Sequence, residues 1–178
     1  MKYSVLLLFS IACGNGDCVL PNAPVIVTGA GSLSTDDGAF AIDAVSWTES
    51  APTLTKSVSF SIAFAGGPSV ECDRVPWSSL ANGALVNVSE ECVVVDGSTG
   101  AGADLTDATL SVTSTIDATN EGTLTLHFDL ADQAVTLVDD NHAVTHVELE
   151  VIGLVAKVSF AHAACPSNGC SAFDLSGV

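Results

Sequence analysis

Apolar and polar positions alternate one by one along most of the chain. The clearest case sets Leu54, Lys56, Val58, Phe60, Ile62 and Phe64 against Thr55, Ser57, Ser59, Ser61 and Ala63. Successive side chains of a β-strand point to opposite faces, so this pattern predicts a strand with one face in a core and one in water. Ala108, Leu110, Val112, Ser114 and Ile116 alternate with Thr109, Ser111, Thr113 and Thr115 in the same way. So do Leu124, Leu126, Phe128 and Leu130 with Thr123, Thr125, His127 and Asp129. Val135-Leu137 and the run 143–161 extend the second half, and 24–29, 39–49, 69–73 and 84–95 are earlier strand candidates. No segment sustains a 3.6-residue period, although Pro76-Trp77-Ser78-Ser79-Leu80 can hold one helical turn.

Turn-forming residues separate these runs: Asp36-Asp37-Gly38, Ala65-Gly66-Gly67-Pro68, Asn120-Glu121-Gly122 and Asp139-Asp140-Asn141. Gly29-Ala30-Gly31-Ser32 reads as a further turn and residues 97–104 as a flexible loop. Many short strands, each half-buried and joined by Gly- and Asp-bearing turns, predict an all-β fold. We expect an antiparallel β-sandwich, Ig-like or jelly-roll-like, with a β-barrel as the alternative.

Length and charge narrow the picture. The chain has 178 residues, enough for one domain with its own core. It carries 21 acidic residues against four basic ones, a net charge of −17. Such a surface repels nucleic acid, so a nucleic-acid role is set aside. Solubility accounts for the charge in the simplest way. The sharper reading is a calcium-type divalent-cation module, with Asp36, Asp37, Asp139 and Asp140 as ligands, although no recognised loop spacing is present.

The N-terminus carries an export pattern. Lys2 precedes the apolar run Val5-Leu6-Leu7-Leu8-Phe9, followed by Ser10-Ile11-Ala12-Cys13. The run is too short to span a bilayer and has the form of a signal peptide. Ala12-Cys13-Gly14 after this stretch resembles the lipobox of bacterial lipoproteins, with Ser10 where that family usually carries leucine. The resemblance covers residues 1 to about 17. It implies that Cys13 is acylated and becomes the first mature residue. It also implies delivery to the outer membrane or cell surface, because Gly14 replaces the aspartate of the inner-membrane retention signal. The alternative is an ordinary secretory signal and a soluble secreted chain. The expected organisation is a signal peptide over 1–12, a lipid-anchored tether over 13–24 and one β domain over 25–178.

Six cysteines in an exported chain read as disulfides. Cys165-Pro-Ser-Asn-Gly-Cys170 encloses a turn sequence, which suggests a local bridge, and Cys72 and Cys92 could close the connection between them. Cys18 is then left over, or pairs with Cys165 or Cys170. Spacing alone does not decide among the pairings.

No catalytic motif assembles. The glycine-rich stretches lack the helix or lysine that phosphate binding needs, and no nucleophile elbow is present. The histidines are better candidates. A turn at Ala131-Asp132 would set His127 opposite Thr136 on a strand over 133–139, and a second turn would set Thr136 opposite His146. His127 and His146 would then share a wet face two strands apart, roughly 9.6 Å between backbones and too far for easy co-ligation. They remain weak ligand-binding candidates together with Trp77, which lies inside the presumed disulfide loop; Trp47 belongs in the core. The expectation is a noncatalytic, lipid-anchored envelope or surface module with a structural, adhesive or ligand-binding role. It needs no cofactor, calcium apart; its partners are a membrane through the anchor and an unspecified protein or carbohydrate. A secreted or periplasmic hydrolase is the other alternative.

Overall fold

The alternating runs become eleven β-strands in a computed structural model that describes residues 18–21, 25–50, 57–80, 83–116 and 122–163. They are β1 (Cys18–Pro21), β2 (Val25–Thr35), β3 (Gly38–Ser50), β4 (Ser57–Phe64), β5 (Ser69–Pro76), β6 (Val86–Asn87), β7 (Cys92–Val95), β8 (Gly102–Asp104), β9 (Ala108–Ile116), β10 (Gly122–Val138) and β11 (Val144–Ala163). All pairings are antiparallel. They form one sheet in the order β6-β9-β10-β11-β2-β3-β4-β5-β7-β8, with β1 against the far end of β11. The sheet curls into a half-barrel. No helix among the described residues is long and apolar enough to cross a membrane.

The curl happens at β3. Its first residues, Gly38–Ala41, pair with β2, and the remainder pairs with β4, with a register shift between Ile42 and Ala44. A bulge of this kind bends a strand and increases its twist, which lets one strand pass from one layer to the next. The sheet thereby folds into two wings whose apolar faces meet. Val58, Phe60, Ile62 and Phe64 of β4 lie at 3% exposure or less, as do Leu124, Leu126, Phe128 and Leu130 of β10. Phe60 and Phe128 touch edge to face across the wings, centroids 5.3 Å apart. The expected alternation of buried and wet positions therefore holds. The fold has the two facing layers of a sandwich and the continuous sheet of a barrel.

Three local expectations change. Ala131-Asp132 is not a turn: β10 runs unbroken from Gly122 to Val138, with register shifts against β11 between Phe128 and Gln133. The inward set moves there from even positions (Leu130) to an odd one (Leu137). A reversal and a bulge shift the phase alike, and without glycine the chain takes the bulge. The Gln133 side chain secures it, donating to the carbonyls of Thr106 (2.6 Å) and Ala131 (3.2 Å) while accepting the Thr106 N–H (2.8 Å).

Gly29–Ser32 is not a turn either but the middle of β2. Gly29 has φ +126°, and a Cβ there would lie 2.5 Å from the Leu154 Cα, so the glycine serves close approach of β2 to β11. The stretch 97–104 is ordered by Asp96 rather than loose. Its carboxylate accepts the Ser98 N–H (2.9 Å), Ser98 Oγ (2.7 Å) and Thr99 Oγ1 (2.9 Å), and β8 follows.

The region 84–95 is two strands, β6 and β7, split by a 3-10 turn at Ser89–Glu91. Asn87 Oδ1 accepts the Ser89 N–H there, a side-chain bond that competes with strand pairing. The helical turn expected after Pro76 is present as Trp77–Ser79. Four residues of the expected tether, Cys18–Pro21, pair with Phe160–Ala163.

Candidate functional site

The chemistry-bearing residues gather chiefly at two turns and on one sheet face. The β2–β3 turn carries Asp36 and Asp37, and Thr35 pairs with Val147 in β11. This register brings Asp36 against His146. Asp36 Oδ2 accepts the His146 backbone N–H at 3.2 Å and lies 3.3 Å from its ring Nδ1. The backbone bond, then the ring bond, holds the Asp36 carboxyl below its ordinary range. Both side chains are well exposed, so the pair contributes little to stability. It ties the β2–β3 turn to β11 and fixes the ring's orientation.

The neighbouring β10–β11 turn is built on Asp139. Its Oδ1 accepts the N–H groups of Asn141 and Ala143, each at 2.8 Å, and His142 takes a left-handed φ of 66°. Asp139 therefore holds backbone, as Asp96 does in the β7–β8 turn. Asp129 acts similarly, with Oδ1 accepting the Gly153 N–H at the bulge opposite. Of the four carboxylates read as cation ligands, Asp36 and Asp139 are engaged in these bonds; Asp37 and Asp140 stand beside them. Among the described residues no group of three or more His, Cys, Asp or Glu side chains is placed to hold a metal ion.

His127 and His146 do not share a site. His127 pairs with Val155 and Ser111, whereas His146 pairs with Thr136. The continuous β10 carries His127 along the sheet instead of folding it back, and nine positions along β11 separate Val155 from His146, about 30 Å.

What surrounds His127 is a hydroxyl surface. Register aligns Thr115, Thr123 and Ser159 in one row, Thr113, Thr125 and Lys157 in the next, then Ser111, His127 and Val155. Neighbours within a row are about 4.8 Å apart and rows roughly 6.5–7 Å. The β9–β10 pairing behind these rows has no register shift.

Cys72 and Cys92 face each other in the β5–β7 register and are joined by a buried disulfide. Near it, Arg74 adopts φ 59°, and its Nε lies 3.2 Å from Asp73 Oδ2. Asp73 also accepts the Ser59 hydroxyl, and Ser59 Oγ accepts the Arg74 N–H at 3.2 Å. Trp77 begins the adjacent 3-10 turn. Cys13, Cys165 and Cys170 lie outside the described residues.

The sequence reading missed Asp96, Asp129 and Gln133 as organisers. Asp96-Gly97-Ser98-Thr99-Gly100 carries a readable signal, an Asp whose side chain can cap its own turn. The bonds of Asp129 to Gly153 and of Gln133 to Thr106 carry none, because these partners are remote in sequence. No protein-family model, curated protein or solved structure matches the chain.

Proposed function

We propose that the chain is a lipid-anchored, noncatalytic module of the cell envelope or surface, with a structural, adhesive or ligand-binding role. The observation that carries the noncatalytic part is how its polar side chains are used. Asp36, Asp96, Asp129, Asp139 and Gln133 each spend hydrogen bonds on backbone groups that shape turns and bulges. Groups committed in this way serve a rigid scaffold. That scaffold presents a hydroxyl face over β9, β10 and β11, suited to hydrogen bonding with a carbohydrate or protein. The anchor is supported by the lipobox-like Ala12-Cys13-Gly14 alone.

Intact-mass analysis of the protein from its native membrane fraction tests the anchor. A chain that begins at a diacylated or triacylated Cys13 supports it. An unlipidated chain in the soluble fraction removes the anchor and leaves a secreted module.

A further inference from the structure

The N-terminal segment and the first half of β2 meet at one corner of the sheet. β1 pairs with the end of β11, Cys18 opposite Ala163, and β2 continues along the same side of β11, Val25 opposite Lys157. Five positions separate Cys13 from Cys18, a reach of at most about 18 Å. A lipid on Cys13 therefore keeps this corner close to a bilayer. The side chains of the corner suit a headgroup layer. Val25 is 64% and Val27 48% exposed, and Lys157 beside Val25 is exposed as well. A lysine in such company lays its stem along apolar neighbours while its ammonium reaches anionic headgroups.

Charge separates this corner from the rest of the wing. Residues 18–35 hold no charged side chain and residues 151–163 no carboxylate, in a chain whose net charge is −17. Glu150, and Asp129 bonded to the Gly153 N–H, mark the far border. The turns with Asp36, Asp37, Asp139 and Asp140 lie at the level of Val147 and Val144, ten and thirteen positions along β11 from Lys157, roughly 33 and 43 Å. These separations are several times the Debye length of about 10 Å at 0.1 M salt, so headgroups under the corner are screened from those acids. Asp17, Asp117 and Glu121 lie outside the described residues. β9 over Ser111–Ile116 is equally uncharged, but three strand spacings, about 14 Å, separate it from β2 and the tether does not lead to it. We propose that the β1–β2 corner is the membrane-facing side of the anchored chain, with Val25, Val27 and Lys157 against the headgroup layer of a lipid bilayer and the aspartate turns held away from it. A bilayer, unlike a partner strand, requires no register, so the irregular backbone around Val27 is no obstacle. The docking rests on the lipid anchor proposed above and adds which side of the molecule meets the membrane.

The test uses the chain isolated from its membrane, its lipid on Cys13 first established by intact mass. It is reconstituted into vesicles of phosphatidylcholine and phosphatidylglycerol, some of whose headgroups carry a nitroxide quencher. A thiol-reactive dye is attached to Val27→Cys, to Leu85→Cys at the opposite edge of the same wing, or to Asp140→Cys at the far turn, with the parent chain as the labelling blank. The dye at 27 is expected to lose most of its emission, while those at 85 and 140 keep theirs. Val25→Glu combined with Lys157→Glu, both at exposed positions, puts carboxylates on the corner and is expected to restore the emission at 27. Equal quenching at the three positions, strongest quenching at 85 or 140, or quenching at 27 that survives the charge reversal overturns the docking and leaves the anchor standing. A mass without lipid overturns the anchor itself, and the docking with it.

Discussion

If the two wings pack face to face, Phe60 and Phe128 are energetically coupled, and a double-mutant cycle measures it. The rings lie in β4 and β10, 3% and 0% exposed, with planes 73° apart and centroids separated by 5.3 Å. No strand pairing joins β4 to β10; the contact exists only because the sheet folds over at β3. An edge-to-face pair of this kind contributes about 0.5–1.5 kcal/mol beyond the area it buries. Phe128→Ala would open a cavity and cost about 3–5 kcal/mol, a large share of the roughly 5–15 kcal/mol that holds a domain together. Leucine is therefore the better probe. Phe60→Leu and Phe128→Leu are each expected to cost about 1–2 kcal/mol, and the double variant less than their sum by about 0.5–1.5 kcal/mol. Urea unfolding followed by fluorescence gives these differences, provided the slopes agree among the four proteins. Sites without contact add to within about 0.3–0.5 kcal/mol. Additivity at that level would refute the face-to-face packing of the wings.

Three further outcomes follow from the side-chain contacts. The Cys72–Cys92 bridge spans 20 residues, and its replacement by two alanines is expected to cost about 3 kcal/mol, read as a lower melting temperature. Asp96 is held below its ordinary range by the Ser98 hydroxyl, then the Ser98 N–H, and Asp36 by the His146 N–H and ring. A depressed folded-state value gives stability that is full above about pH 4 and lost as pH falls through that value, so melts taken downward from about pH 5 should show less acid loss in Asp96→Asn than in the parent chain. Millimolar calcium, followed by chelator, is expected to leave the melting temperature unchanged; a calcium-dependent rise would show that the native state binds the ion and would revive the cation reading of Asp36, Asp37, Asp139 and Asp140.

Strand content was legible because alternation is a local property. The inward rows of β4, β9 and β10 follow directly from side chains that switch faces at every residue. Asp139-Asp140-Asn141 announced its turn through a side chain that bonds nearby backbone, whereas at Asp36-Asp37 the Thr35 hydroxyl accepts the Asp37 N–H. Illegible were the places where one strand serves two partners. β3 divides its pairing between β2 and β4, and nothing in Gly38–Ser50 alone says that the second half leaves the first half's neighbour. This division decides between a flat sheet and a folded one. It is also why sandwich and barrel were both defensible readings.

The same kind of ambiguity misplaced the candidate site. With a turn at Ala131-Asp132, His127 and His146 share a face; with a bulge, they stand at opposite ends of a long hairpin. What distinguishes the two is Gln133, whose amide reaches Thr106 from 27 positions away and needs β10 to pass straight on toward Val138. Nothing local in β10 shows that the Gln133 side chain at its bulge will find the backbone of Thr106. By contrast, Asp36 and His146, 110 positions apart, were each visible as chemistry but not as a pair, because their meeting depends on the register of β2 on β11. Residues were readable one at a time; their company was set by pairings between strands, and in this fold those pairings determine which polar groups become sites and which become scaffold.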